Sequence, residues 1–178
     1  MQFSNLERNI VEVIEEQQAK LGYDGNAVHL FYPLASLNTL LETTLEEEGM
    51  QAALGEFAAF CRERLGEIEI SCRDARFSLL ISPEGSAYVH EHMREDTFIV
   101  RLVHLVSRHG ATIDEVLALF HTYADSVHFE QMKDNPEFDY LLYFEQGVPD
   151  AFYYCFKADP MHMTYHRFTR EDYESFGF

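Results

Sequence analysis

Residues 138–176 read FDYLLYFEQGVPDAFYYCFKADPMHMTYHRFTREDYESF, and they hold 12 of the chain's 25 Phe and Tyr residues. Three runs rich in aromatic residues stand out: Asp139 to Glu145, Ala151 to Lys157 and Met163 to Phe168. The links EQGVPD and ADPMH carry Gly, Pro and Asp, which turn a chain but do not extend a strand. Links this short suit antiparallel neighbours, so a three-stranded meander is expected. Thr169 with Asp172 can cap a final helical turn.

Strand parity sorts the meander's side chains. Successive residues of a strand point to opposite faces. Tyr140, Leu142 and Phe144 then share a face with Phe152, Tyr154 and Phe156, which suits a core under helices. The other face carries Leu141, Tyr143, Tyr153 and Cys155, with Asp139, Glu145 and Lys157 at its ends. Such a half-apolar outer face is either covered by the chain itself or used for contact. Tyrosine suits contact because its ring is apolar and its tip polar. These four residues are therefore interface candidates for a protein partner or a second copy of the chain.

Helices dominate upstream. Leu6, Ile10, Val13, Ile14 and Leu21 recur at helical spacing after a capping-box pair, Ser4 and Glu7, and Gly22 stops the run. A short β-favouring run, 28–32, leads to Pro33, which can open a helix lined by Leu34, Leu37, Leu40 and Leu41. Thr44 with Glu47 predicts a further capped helix, placing Glu46 to Glu48 in its first turn, where the helix dipole favours carboxylates. Two runs, 67–72 and 77–82, joined by RDAR predict a hairpin. Ser82-Pro83-Glu84 predicts a helix start, with Gly85 weakening it and a strand as the alternative. Asp96 can cap an apolar helix running to Arg108. Thr112 with Glu115 caps another, through Ile113, Val116, Leu117, Phe120 and Tyr123. The expected class is α+β, with helices grouped against a mainly antiparallel sheet.

The chain has 178 residues, so one globular domain is the default expectation. Its formal charge is −18. That argues against nucleic acid and against an anionic membrane surface as partners. It is compatible with a basic protein partner, which an acidic molecule can neutralise. Acidic residues near the start, Glu7, Glu12, Glu15 and Glu16, do not fit a secretory signal. Cys61, Cys72 and Cys155 are three and widely spaced, so they are expected to be reduced thiols of a cytoplasmic protein.

Several pairings invite chemistry. His162 and His166 have the spacing of a zinc pair on a helix, but four strand residues span about 13 Å, too far for one metal with bonds of about 2 Å. His90 and His92 fail the reverse test, since a helix points them apart. Arg101, His104 and Arg108 form a basic stripe, and His121 with Asp125 an i, i+4 pair. The sequence has no P-loop, no GxGxxG after a strand, no GxSxG elbow, no CxxC, no HExxH and no EF-hand loop. No metal or cofactor is implied, and an enzyme is not favoured. A hydrolase-like or small-molecule pocket would be built from His166 as base, Arg167 as anion clamp, Asp172 as orienting carboxylate, Tyr173, and His162 beside them.

The segments FDYLLYF, YYCFK and HMTYHRFTREDYESF, with FSNLERNIVEVI and FYPLASLN upstream, resemble the signature of a small uncharacterised bacterial family of unknown function. The resemblance implies a cytoplasmic bacterial protein and carries over no activity, cofactor or site residue. The expected function is a non-enzymatic binding or regulatory domain acting through protein contacts.

Overall fold

The computed structural model describes residues 1–177. The chain is α+β and forms two compact units, Met1–Arg94 and Glu95–Phe178. Each unit packs helices on its own antiparallel sheet.

In the first unit, helix α1 (Phe3–Leu21) buries Leu6, Ile10 and Ile14, one residue per turn along a single stripe. Each such side chain contributes about 1.5–3 kcal/mol when removed from water. The helix starts one residue before Ser4, so no side chain caps it. Two contacts pull it outward: the Gln2 backbone N–H donates to the Leu41 carbonyl at 3.1 Å, and the Phe3 ring packs 5.9 Å from Phe57. Strand β1 (Val28–Pro33) then leads into α2 (Leu34–Leu41), which buries Leu37 and Leu41. Helix α3 (Glu47–Leu65) lacks the expected Thr44 cap. Asn38 takes over that link instead, because its Oδ1 accepts from the Leu45 N–H at 2.7 Å and its Nδ2 donates to the Leu45 carbonyl at 2.9 Å.

The hairpin β2 (Ile68–Arg73) and β3 (Arg76–Ile81) turns at Asp74 and Ala75, both with positive φ, as a two-residue hairpin of right-handed twist requires. Strand β3 lies between β1 and β2, and every pairing is antiparallel. Val28, Leu30, Tyr32, Phe77, Leu79 and Ile81 face the helices and are buried. The Tyr32 hydroxyl, buried with them, donates to Asn9 Oδ1 of α1 at 2.8 Å, so its polar tip is satisfied. Helix α4 (Pro83–His92) opens as expected, with Ser82 Oγ accepting from the Gly85 N–H and Pro83 at the first position.

In the second unit, α5 (Phe98–Val106) has Thr97 rather than Asp96 as the residue before its first turn, and it ends before Arg108. Helix α6 (Ile113–Tyr123) carries the full capping box of Thr112 and Glu115. The meander has one strand more than expected: β4 (Val127–Gln131), β5 (Tyr140–Phe144), β6 (Tyr153–Ala158) and β7 (Met163–Phe168) pair in chain order. Its inner face makes an aromatic core. Phe98 and Phe120 from the helices lie 4.9 Å and 4.7 Å from Phe144, and Tyr154 is fully buried beside them. Tyr154 donates to Asp150 Oδ2 at 2.7 Å. Helix α7 (Arg170–Phe176) closes the unit, with Thr169 Oγ1 accepting from the Asp172 N–H.

Candidate functional site

The outer face of the second sheet is where the aromatic stretch places its contact candidates. Two of them are not available. Leu141 is 3% exposed and Cys155 0%, because the 132–139 link folds Phe138 over them and α7 lays Tyr173 against the same cluster. The link is shaped by Asn135, whose Oδ1 accepts from the backbone N–H of Glu137 and of Phe138. Burial pushes the Cys155 thiol up to about 12, which leaves almost no thiolate at neutral pH. Of the two possibilities for this face, cover by the chain itself is the one that holds for Leu141 and Cys155.

Tyr143 and Tyr153 remain half-buried. Their rings stack at 4.2 Å, nearly parallel, with His128 stacked on Tyr143 at 4.5 Å and Tyr173 packed on Tyr153 at 5.1 Å. Burial, then Tyr153 and Glu145, raise the Tyr143 phenol above its usual range. The row spans three strands and α7, and its rings spend their faces on one another.

The residues expected to line a polar pocket are not collected in one place. His166 is exposed on the outer face, 5.8 Å from Phe138. Arg167, the next residue, faces the other way, with its guanidinium 4.6 Å above the Phe152 ring. A base and a clamp on opposite faces of one strand cannot act on the same atom. Asp172 is committed to the start of α7, where its carboxylate accepts from the Thr169 hydroxyl at 2.8 Å. Tyr173 belongs to the ring row. His162 precedes β7 and donates its backbone N–H to Asp159 at 2.8 Å. The Met161 N–H and that of His162 hold the Asp159 carboxyl below the usual range.

The remaining pairings also separate. His90 stacks on Tyr23 and His92 on Tyr88. Arg101 lies over the Tyr123 ring, and Arg108 pairs with Glu115 at the start of α6. Among the described residues no group of three His, Cys, Asp or Glu side chains is placed to hold a metal ion.

An open and regularly ordered surface lies on the outer face of the first sheet. The alternation is regular, with Val28, Leu30 and Tyr32 inward and His29, Phe31 and Pro33 outward. The register builds three rows across β1, β3 and β2. Pro33, Arg76 and Arg73 form one, Phe31, Ser78 and Ser71 the next, and His29, Leu80 and Glu69 the third. Phe31 is 63% exposed. The His29 ring leans on it at 4.4 Å and is hydrogen-bonded to Ser78 Oγ. Leu80 is half-buried, and Glu69, Ser71, Arg73 and Arg76 are exposed. The signal was present in VHLFYP, where an outward Phe in an alternating strand has no polar reason to be there.

Comparison with known families now bears on the whole chain. A family described as a domain of unknown function named from E. rectale, DUF3877, matches residues 3–177. The chain belongs to the DUF3877 family. Its match covers the α+β chain from α1 through α7, so both sheets and both ring clusters lie within the DUF3877 region. No curated protein and no solved structure matches the chain.

Proposed function

We infer that this DUF3877 protein is a non-enzymatic binding or regulatory domain that works through protein contacts, and that its contact face is the outer face of β1, β3 and β2. The observation that carries the reading is Phe31. A phenylalanine 63% exposed on a regular antiparallel sheet, beside Leu80 and His29, loses apolar hydration when a partner covers it. Aromatic side chains ringed by polar ones are the usual anchors of protein interfaces. The polar candidates of the second unit do not converge, which disfavours a pocket enzyme built from His166, Arg167 and Asp172.

The test is a photo-crosslinking amino acid placed at position 31, with a second at position 129. Phe129 is also exposed, at 42%, but lies on edge strand β4. A discrete adduct from position 31, absent or far weaker from 129, is expected. If position 31 gives no adduct in cells producing the protein at native level, the contact reading fails.

A further inference from the structure

We propose that the occupant of this face is a second copy of the chain, seated face to face about a two-fold axis running across the strands through the Phe31–Ser78–Ser71 row. The inference rests on the contact reading above and names its partner. It follows from how charges are laid out on the face.

An axis across the strands keeps each strand opposite its own copy and reverses its direction. The two outer rows therefore exchange. Arg73 comes opposite Glu69 of the partner subunit, and by symmetry its own Glu69 meets the partner subunit's Arg73. Arg76 comes opposite an apolar Leu80, over which its methylene stem can lie. Phe31 meets its own copy, and the serines of the middle row meet theirs. Ser71 and Ser78 are small, so the centre leaves room for Phe31 between sheets packed about 10 Å apart. The other face-to-face two-fold, along the strands, would set Arg76 directly against its copy and Phe31 against a serine. Like charges placed opposite one another discriminate against that arrangement.

Two magnitudes set the strength. Strands of six residues at about 3.3 Å per residue, three of them about 4.8 Å apart, give a face of roughly 20 by 14 Å. That is well below the roughly 800 Å² per partner of a stable complex, so the dimer is weak and concentration-dependent. Each protomer also carries −18, which opposes approach over about 30 Å at 0.01 M salt but only about 10 Å at 0.1 M. Moderate salt screens that repulsion more than it screens an ion pair in contact, so self-association is expected to strengthen from low to physiological ionic strength.

The experiment is sedimentation of the full chain over a concentration series, with Arg73→Glu, Glu69→Arg, their equimolar mixture, and the double exchange. Arg73 and Glu69 are exposed, so circular dichroism should report an unchanged fold. Each single variant is expected to weaken self-association at least about tenfold, since each sets like charges together. In the mixture, one copy of each variant meets the other. Positions 69 and 73 then face each other with opposite charges at both ends of the interface, so the mixture should associate as the parent does. The double exchange restores opposite charges within one chain and should do the same. A parent monomeric at every concentration overturns the proposal, as does a mixture no better than its components. If position 31 crosslinks to a different protein while the parent stays monomeric, the dimer falls and the contact reading stands. If position 31 crosslinks to nothing, both fall.

Discussion

Gly85 shows how much one missing side chain can matter. It sits in the first turn of α4, directly over the end of α3, where an added Cβ would come 2.2 Å from the Leu65 carbonyl oxygen and 2.7 Å from Ile81. Neither neighbour is the free end of a flexible chain. Gly85→Ala is expected to destabilise the protein by about 1–3 kcal/mol, against the usual helical advantage of alanine. Chemical denaturation should show a lower midpoint at unchanged slope. The same scale explains which helix caps could be seen in the sequence. Ser82-Pro83-Glu84 and Thr112 with Glu115 were legible because their caps form within a few residues of sequence: Glu115 keeps one carboxylate oxygen on Thr112 even while the other takes Arg108. Ser4 and Thr44 had equally good patterns, but long-range partners moved the helix starts: the Leu41 carbonyl and Phe57 for α1, Asn38 for α3. A local motif says where a helix can start, and tertiary contacts decide whether it does.

At the scale of elements, strand parity is the most informative rule. It divided the buried inner Leu142, Phe144, Tyr154 and Phe156 from the outer Leu141, Tyr143, Tyr153 and Cys155, while Tyr140 is only half-buried and Phe152, also expected inward, precedes β6. Applied to β7 it would also have separated His166 from Arg167 and removed the polar pocket. Strand β4 was harder to read, because VHFEQ is short, half polar, and defined by its register with β5 rather than by its own composition. What covers an outer face is likewise not a local property. Helix α7 is seven residues long with none buried, yet Tyr173 packs on Tyr153 over Cys155. Tyr173→Ala should loosen that cover. Thiol titration of the parent is expected to find half-exposed Cys72 first, slowed because burial and Glu47 push its thiol up, and Cys61 and Cys155 only on unfolding. In the variant Cys155 should react in the native state, at least about tenfold faster than in the parent. An unchanged rate would show that Phe138 alone closes the face.

For the whole molecule the dominant fact is charge. Thirty-one acidic residues stand against thirteen basic ones, and among the described residues are exposed ion pairs such as Arg62–Glu67 at 3.1 Å and Arg170–Glu174 at 2.8 Å. Exposed pairs contribute about 1 kcal/mol or less each. Repulsion among the surplus carboxylates acts throughout the folded chain and is relieved when it expands. Added sodium chloride is therefore expected to raise the thermal midpoint steadily from about 10 to 300 mM, as the screening length falls from about 30 to below 8 Å. A midpoint that fell with salt would mean that specific ion pairs outweigh the net charge. The sequence made this property plain, since charge adds without regard to position. It could not show that a few opposite charges lie in register on one sheet, because that needs β1, β3 and β2 aligned across fifty residues.

The cover made by α7 also has a meaning in time. During synthesis β5, β6 and β7 emerge from the ribosome before residues 170–176 do. Until those residues arrive, the outer face above Leu141 and Cys155 has Phe138 but not Tyr173. A nascent product, or one cut before α7, would show apolar strand surface that the folded unit hides, and exposed apolar surface is what chaperones and proteases act on. Helix α7 thus covers part of that face through Tyr173, and a chain cut before Arg170 is expected to be degraded faster in cells than the full chain, which a pulse-chase comparison would measure.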